Sequence, residues 1–173
     1  MHRKLCFSIL TIALCLFLAC MGASVRKELI ISPDFQPGQY TRLAVISMDP
    51  QIQFSEYVEA NLLGKGYTLK EGTAVRQLLK KEGFPFNREE SFTPEALARI
   101  GSLLDVQGII LCSVIEFSRF RDAYRLGIKM INPQTGHTVW MAQGYSEGKK
   151  GQKSADLLQA IVTSSLQGLP RAR

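Results

Sequence analysis

The chain has 173 residues, of which 46% are hydrophobic and 21% charged, and a formal net charge of +6. This composition excludes an intrinsically disordered polypeptide and fits one globular domain that buries a hydrophobic core. The positive charge is too small and too scattered along the sequence to favour a nucleic-acid-binding protein.

The N-terminus has the pattern of an export signal. His2-Arg3-Lys4 form a short basic segment, and the apolar residues 5–19 that follow carry no charge. This stretch is shorter than the roughly 20 residues that an ordinary membrane-spanning helix needs, and it has the length of a signal-peptide core. Residues 1–19 are therefore predicted to be a signal peptide, whose removal leaves 154 residues and a net charge near +4.

The signal ends in a segment that resembles the lipobox of bacterial lipoproteins, Phe17-Leu18-Ala19-Cys20, in which a small residue precedes an obligatory Cys. The resemblance implies diacylglyceryl transfer to the Cys20 thiol, cleavage before Cys20 and acylation of the new amine. Three acyl chains exceed the two that stable membrane attachment needs. The sequence departs from the motif at Phe17, where Leu is usual. The alternative is a plain secretory signal cut after Ala19 or Ala23.

Cysteine usage agrees with this interpretation. Three of the four cysteines, Cys6, Cys15 and Cys20, lie in the first twenty residues, and only Cys112 remains in the body of the chain. A lipidated Cys20 cannot pair with Cys112, so the exported domain is predicted to be stable without a disulfide. Met21, in place of an Asp after Cys20, favours the outer membrane over the inner one.

Residues 20–39 are predicted to be the lipidated N-terminus and a tether. They are polar or mixed and contain turn-forming Pro and Gly residues. Val25 and the apolar group Leu29-Ile30-Ile31 can pair as a short strand within it.

Residues 40–169 carry the periodicities of one domain. Short apolar runs predict strands at 43–46 and 67–69, and helical spacing of apolar residues predicts helices over 54–64 and 73–83. A third helix begins at Thr93-Pro94, an N-cap followed by a first-turn proline. The next predicted element is a central strand over 108–117. A hairpin follows, in which alternating strands over 124–130 and 139–145 are joined by the turn 132–136. The last predicted element is a helix over 155–169.

The predicted order is therefore β-α-β-α-α-β-β-β-α. It describes an α/β (α+β) fold with a mixed five-stranded sheet and helices packed on it. The first strand–helix–strand unit is predicted to be parallel, whereas the later strands are joined by short loops and must be antiparallel.

Four stretches in this order resemble the domain shared by a group of bacterial envelope lipoproteins that includes CsgG, LpoB and the N-terminal domain of TolB. They are residues 42–46, 66–67, 106–110 and 131–140. The resemblance implies a non-enzymatic role in an envelope assembly. The membrane-spanning hairpins of a CsgG-type pore are missing, because the loop 118–122 is far shorter than the 9–11 residues of one membrane strand.

No combination of residues indicates catalysis, a cofactor or a metal. His137 is the only histidine after the signal, beside a Gly turn, and Cys112 lies mid-strand among apolar neighbours, so structural roles are favoured for both. Asp49 follows the first strand and Glu89-Glu90 precede a helix. These acids either bind a ligand or act as acid and base, or they are turn and helix-start residues.

Candidate partner-binding residues lie in the hairpin region. Trp140, the only Trp, either packs beneath the last helix as a core residue or joins Arg125 and Lys129 as an exposed binding surface. A basic-aromatic loop tip is the second candidate contact: Arg119, Phe120 and Arg121.

The sequence thus predicts a periplasm-facing protein held to the membrane by its N-terminal lipid. Its predicted partners are other envelope proteins or further copies of itself, in a secretion, assembly or wall-synthesis complex. Two alternatives stay open. One is a homo-oligomeric ring subunit of a CsgG-like apparatus, and the other is a small-ligand-binding domain or enzyme that uses Asp49, Glu89 or Glu90.

Overall fold

The computed structural model describes residues 24–49, 52, 54–84, 92–149 and 151–172. The predicted signal peptide, Cys20, Glu89 and Glu90 lie outside the described residues. Six strands form one sheet: β1 Arg26–Ile31, β2 Arg42–Ser47, β3 Thr68–Leu69, β4 Gly108–Ser118, β5 Ala123–Ile131 and β6 Thr138–Glu147. Four α-helices accompany it: α1 Ser55–Gly64, α2 Gly72–Lys81, α3 Pro94–Leu104 and α4 Ser154–Ser165.

The sheet has the order β1-β6-β5-β4-β2-β3. Strand β2 runs parallel to its neighbours β3 and β4, and the other pairs are antiparallel, so the predicted mixed α/β fold is confirmed. The predicted count of five strands is wrong. Residues 26–31 of the predicted tether form β1, which pairs with β6 along its whole length, from Arg26 opposite Tyr145 to Ile31 opposite Trp140. The sheet therefore begins well before residue 40.

Helices cover both faces of the sheet to different extents. On one face, α1 and α4 pack over a large apolar cluster that includes Leu43, Phe54 and Ile161. On the other, α2 and α3 pack over a smaller cluster built around Ile46 and Ile100. The sheet thus separates two layers of buried side chains, and the smaller cluster leaves part of its face uncovered.

The start of α3 follows the sequence pattern. The Thr93 hydroxyl accepts a hydrogen bond from the amide of Ala96 at 3.2 Å, and Pro94 occupies the first helical position. The helix ends at Asp105, whose φ of 51° is left-handed. Its backbone amide donates to carbonyls of the last turn, so the chain reverses direction there and enters β4.

A β-bulge sets the orientation of β6. Met130 pairs with Trp140 but the next residue, Ile131, pairs with Thr138, which leaves Val139 as an extra residue on β6. An extra residue reverses the alternation of side chains beyond it. The side chain of Trp140 therefore points toward α4, whereas Met141 and Tyr145 lie on the opposite face. Regular alternation along the predicted strand 139–145 would place Met141 and Tyr145 on the same face as Val139, and the bulge is the reason why they do not lie there.

Candidate partner-binding surface

The candidate site is the part of the sheet that α2 and α3 leave uncovered. These two helices pack over β2, the beginning of β4 and the end of β5. The remaining area of that face, here called the open face, runs across β1, β6, β5 and the far half of β4. The cross-strand register defines its rows of side chains: Ile30, Met141 and Lys129; Glu28, Gln143, Gly127 and Ser113; Arg26, Tyr145, Arg125 and Glu116.

The open face carries exposed apolar side chains. Ile30 is 50% exposed and Ile115 49% exposed, whereas most aliphatic residues of the sheet are buried. Ile115 is the extra residue of a second bulge, in β4, and its side chain lies across Gly127. A Cβ at Gly127 would approach Ile115 Cδ1 to 3.0 Å, so the glycine provides the room that Ile115 occupies.

The other end of the open face is charged. The Arg125 guanidinium lies 5.5 Å from the centre of the Tyr145 ring, and its Nε is 3.5 Å from a carboxylate oxygen of Glu116. The Tyr145 hydroxyl donates to the Glu147 carboxylate, and this hydrogen bond raises the pKa of Tyr145, while the positive charge of Arg121 opposes the shift. Because the Arg125–Glu116 pair is exposed to water, it adds little stability and can rearrange toward a partner.

A groove of about 480 Å³ lies at this charged end. Its lining includes three arginines and two glutamates: Arg26, Arg121, Arg125, Glu28 and Glu116. Small-molecule sites are usually concave and mostly apolar, whereas protein interfaces combine Arg, aromatic and apolar side chains with a polar rim. The open face has the second kind of chemistry.

The structure brings some of the predicted binding residues together. Arg125 and Lys129 lie on the open face, and Arg121 lines its groove. Arg119 and Phe120 are exposed in the turn between β4 and β5, where the Phe120 ring projects fully into solvent. The basic-aromatic tip thus continues the open face at its charged end.

Trp140 belongs to the core, the first of its two predicted alternatives. It is only 1% exposed and lies on the face covered by α1 and α4. It does not share a surface with Arg125 and Lys129, because the bulge at Val139 turns it to the other side of the sheet. Its indole Nε1 has no hydrogen-bond partner in the described part of the chain.

Comparisons with known proteins support the fold. No protein-family model and no curated protein sequence matches the chain. The PelC dodecamer from Paraburkholderia phytofirmans has a similar structure, with a TM-score of 0.53 and 11% identity over 87% of this chain and 99% of that chain. Lipoprotein GNA1162 from Neisseria meningitidis gives a TM-score of 0.56 and 14% identity over 75% of this chain and 99% of that chain.

The C-terminal domain of LpoB from Salmonella enterica gives a lower TM-score of 0.47, with 16% identity over 66% of this chain and 86% of that chain. This score is too low to carry an argument. The identities to PelC and GNA1162 show a shared fold and nothing about a shared role. The fold is thus one that a bacterial lipoprotein also has, and the closer resemblance to CsgG stays a prediction.

Three of the residues considered for chemistry lie within the described part of the chain: Cys112, His137 and Asp49. Cys112 is fully buried, and burial, together with the negative charge of Glu59, raises the pKa of its thiol, which disfavours the reactive thiolate. His137 is exposed in the β5–β6 turn, where its carbonyl accepts the amide of Asn132 at 2.9 Å.

Asp49 holds the turn after β2. One of its carboxylate oxygens accepts the amide of Ile52 at 3.2 Å, and its carbonyl accepts the Ser47 hydroxyl at 2.9 Å. Within the residues that the structure describes, no three His, Cys, Asp or Glu side chains are grouped to hold a metal ion. None of the described helices combines the length and hydrophobicity needed to cross a bilayer.

Sequence reasoning missed the β1 and β6 contributions to the open face. Arg26 and Glu28 fell within the predicted tether, where a short strand was expected only from Val25 and Leu29-Ile30-Ile31. That apolar group was the available signal, but it does not mark the charged residues before it as part of the strand. Regular alternation along the predicted strand 139–145 would place Tyr145 on the same face as Val139. No local signal marks the bulge that turns Tyr145 outward.

Proposed function

We propose that this chain is a lipid-anchored protein of the bacterial envelope, attached at Cys20 to the outer membrane and facing the periplasm. It works without catalysis by binding other envelope proteins. The observation that carries the proposal is the open face, where exposed apolar side chains lie beside a cluster of arginines and carboxylates on the part of the sheet that α2 and α3 leave uncovered.

The position of β1 supports binding near the membrane. Five residues lie between Cys20 and Arg26, the first residue of the sheet, so Arg26 is six residue steps from Cys20. A chain spans at most about 3.3–3.6 Å per residue, so the sheet begins within about 20 Å of the acyl chains. Because β1 itself contributes to the open face, this surface is held close to proteins that lie at the same membrane.

The chemistry of the open face suits a protein partner. Full burial of an aliphatic side chain contributes about 1.5–3 kcal/mol, and Ile30 and Ile115 each have half of their surface available for this. Arg125 and Tyr145 belong to the residue types that dominate binding energy at interfaces. The mixed charges add specificity and orientation more than affinity.

Site-specific photo-crosslinking tests the open face. A photoreactive side chain is placed in intact cells at Gln143, in the middle of the open face, or at Gln159, exposed on α4 on the other side of the molecule. We expect an adduct of defined mass from position 143 only, and its loss when Arg125→Glu is added. An identical adduct from both positions, or none from position 143, contradicts the proposal.

The anchor is tested separately by cysteine replacement. Cys20→Ser is expected to leave the protein unprocessed or to release it from the membrane fraction, because the acyl acceptor is lost. Cys15→Ser, a matched change inside the signal, is expected to leave processing and membrane attachment unchanged. Mass spectrometry that finds an unmodified Cys20 thiol at the start of the native polypeptide removes the proposed localisation.

The second candidate is a homo-oligomeric ring subunit. It is favoured by the similarity of this fold to PelC, whose structure is a dodecamer. In this case the partner at the open face is a second copy of the chain. The crosslinked adduct from position 143 would then have twice the mass of the chain, and light scattering of the detergent-solubilised protein would give a multiple of the protomer mass.

A further inference from the structure

The edge of the sheet at β2 is a second surface with the properties of a binding site, because part of this strand lacks a neighbouring strand. Strand β3 has only two residues, and its last backbone contact with β2 is the hydrogen bond from the Lys70 amide to the Leu43 carbonyl, at 2.9 Å. The chain then leaves the sheet and enters α2, while β2 continues to Ser47. The outer side of residues 45–47 therefore has no neighbouring strand.

Backbone groups along β2 alternate between its two neighbours. Thr41 and Leu43 accept hydrogen bonds from the β3 side, and the amide of Met48 donates to the Cys112 carbonyl of β4 at 2.9 Å. By this alternation the amides and carbonyls of Val45 and Ser47 point away from β4. No backbone hydrogen bond from another described residue meets these groups.

This edge is recessed. It forms the floor of a groove of about 480 Å³ whose walls are α1 and one side of α2, from Gly72 to Lys80. Val45 is only 3% exposed, so the unpaired backbone lies at the bottom of the groove and not on the outer surface. Backbone groups removed from bulk water need partners, and natural sheets usually cover or blunt such an edge. Here the groove leaves it accessible to a chain that enters between the helices.

The two walls carry opposite charges. Glu56 and Glu59 project from α1, whereas Arg76 and Lys80 project from α2. The Glu59 carboxylate is held against the start of α2, since a Cβ at Gly72 would lie 2.8 Å from its Oε1. Burial and the neighbouring Glu56 raise the pKa of Glu59, and the positive charge of Arg76 offsets this only in part. The α1 wall is therefore acidic and the α2 wall is basic.

We propose that the open edge of β2 is a docking site for an extended segment of a partner protein. The segment adds a strand beside Val45 and Ser47 and pairs with their backbone groups. Its side chains alternate between the two walls, so the site selects a Lys or Arg directed toward Glu56 and Glu59. The site lies at the opposite edge of the sheet from β1 and is independent of the open face.

Amide hydrogen exchange of the unmodified full chain in detergent gives the first test. The amides of Ala44 and Ile46 face β4 and are protected, whereas those of Val45 and Ser47 face the groove. We expect the second pair to exchange about a hundredfold faster than the first. Equal protection of all four amides means that the edge is already closed and overturns the proposal.

Selection of peptides gives the second test. A phage-displayed library of random dodecapeptides is panned on the full chain in detergent, and the selected peptides are measured against Ser47→Pro and Ser47→Ala. Proline removes the outward amide of Ser47 and leaves the β4 pairing intact, and alanine keeps that amide. We expect Ser47→Pro to weaken binding about tenfold relative to Ser47→Ala.

The charge variant Glu56→Gln/Glu59→Gln keeps the shape of the groove and covers the case in which Ser47→Pro does not fold. It is expected to weaken peptides that carry Lys or Arg about tenfold, and a bound peptide is expected to protect the Val45 amide in the unmodified chain. Selected peptides that lack basic residues, bind this variant unchanged or leave the Val45 amide unprotected overturn the proposal. None of these measurements depends on Cys20 or on the open face, so the proposed function can fail without this inference failing, and the reverse.

Discussion

Thr93 stabilises the start of α3 by accepting the amide hydrogen of Ala96. Replacement of an N-cap Thr by Ala costs about 1 kcal/mol, because the amide loses its partner within the chain. We expect Thr93→Ala to lower the free energy of unfolding by this amount in urea denaturation. Thr93→Ser, which keeps the accepting oxygen, is the control and should remain close to the unmodified chain. Equal destabilisation by both replacements would assign the effect to the lost methyl group.

Glu59 is expected to lower the free energy of unfolding as pH rises, whereas a carboxylate with a lowered pKa has the opposite effect. Burial and Glu56 raise its pKa above the ordinary value of 4.5, so the folded protein disfavours the carboxylate more than the unfolded chain does. Stability is therefore highest below pH 4.5 with respect to this group, and it falls as pH rises through the folded-state pKa.

Glu59→Gln removes the charge and keeps the shape of the side chain. We expect it to raise the urea midpoint at pH 7, with a difference that disappears below pH 4.5. Glu71→Gln, an exposed change at the same groove, serves as the control for a general charge effect. A lower midpoint for Glu59→Gln at pH 7 would contradict this account.

At the scale of elements, the packing of α4 on β6 depends on the absence of a side chain at Gly144. A Cβ there would lie 2.2 Å from Ser165 Oγ and 2.5 Å from Ile161 Cγ2, both on the helix. Overpacking of this kind typically costs 1–3 kcal/mol, so Gly144→Ala should unfold at clearly lower urea concentration. Gly38→Ala adds the same methyl group where no atom lies within 4 Å and should have little effect.

The elements that local chemistry defines could be predicted from the sequence. The cap and proline at Thr93-Pro94 set the start of α3, and the apolar run that begins β4 marks it as a central strand because residues 108–112 are buried on both faces. The helices on either side of the sheet follow from apolar spacing alone. In such elements the residues whose burial or capping stabilises the structure lie close together in the sequence, so their pattern is visible there.

Strand β1, the bulge at Val139 and the open face could not be predicted, because they depend on interactions between distant parts of the chain. Strand β1 is mostly exposed and gains its structure from pairing with β6, so its residues resemble a polar tether. The bulge at Val139 arises from the register between β5 and β6 and reverses the orientation of Trp140 and Tyr145. The composition of the open face, and with it the candidate site, therefore became clear only from the pairing of strands.

At the scale of the whole molecule, the processed chain should contain a single thiol that is hidden until the protein unfolds. In the proposed processing, cleavage before Cys20 removes Cys6 and Cys15 and lipidation blocks Cys20, while Cys112 is fully buried in the fold. We expect protein purified from native membranes to show no thiol that reacts with Ellman's reagent, and one such thiol in guanidinium. One reactive thiol in the folded protein would indicate a free Cys20, and Cys112→Ala separates the two sources.

The placement of β1 has a mechanical consequence for a protein tethered at its N-terminus. With the proposed anchor at Cys20, tension between the bilayer and a bound partner would enter the domain through Arg26 and run along β1. The hydrogen bonds of an antiparallel pair lie across the strand, so a pull along β1 loads those to β6 together and not one after another. The segment whose sequence resembles a flexible tether would thus transmit force from the anchor into the sheet through its pairing with β6.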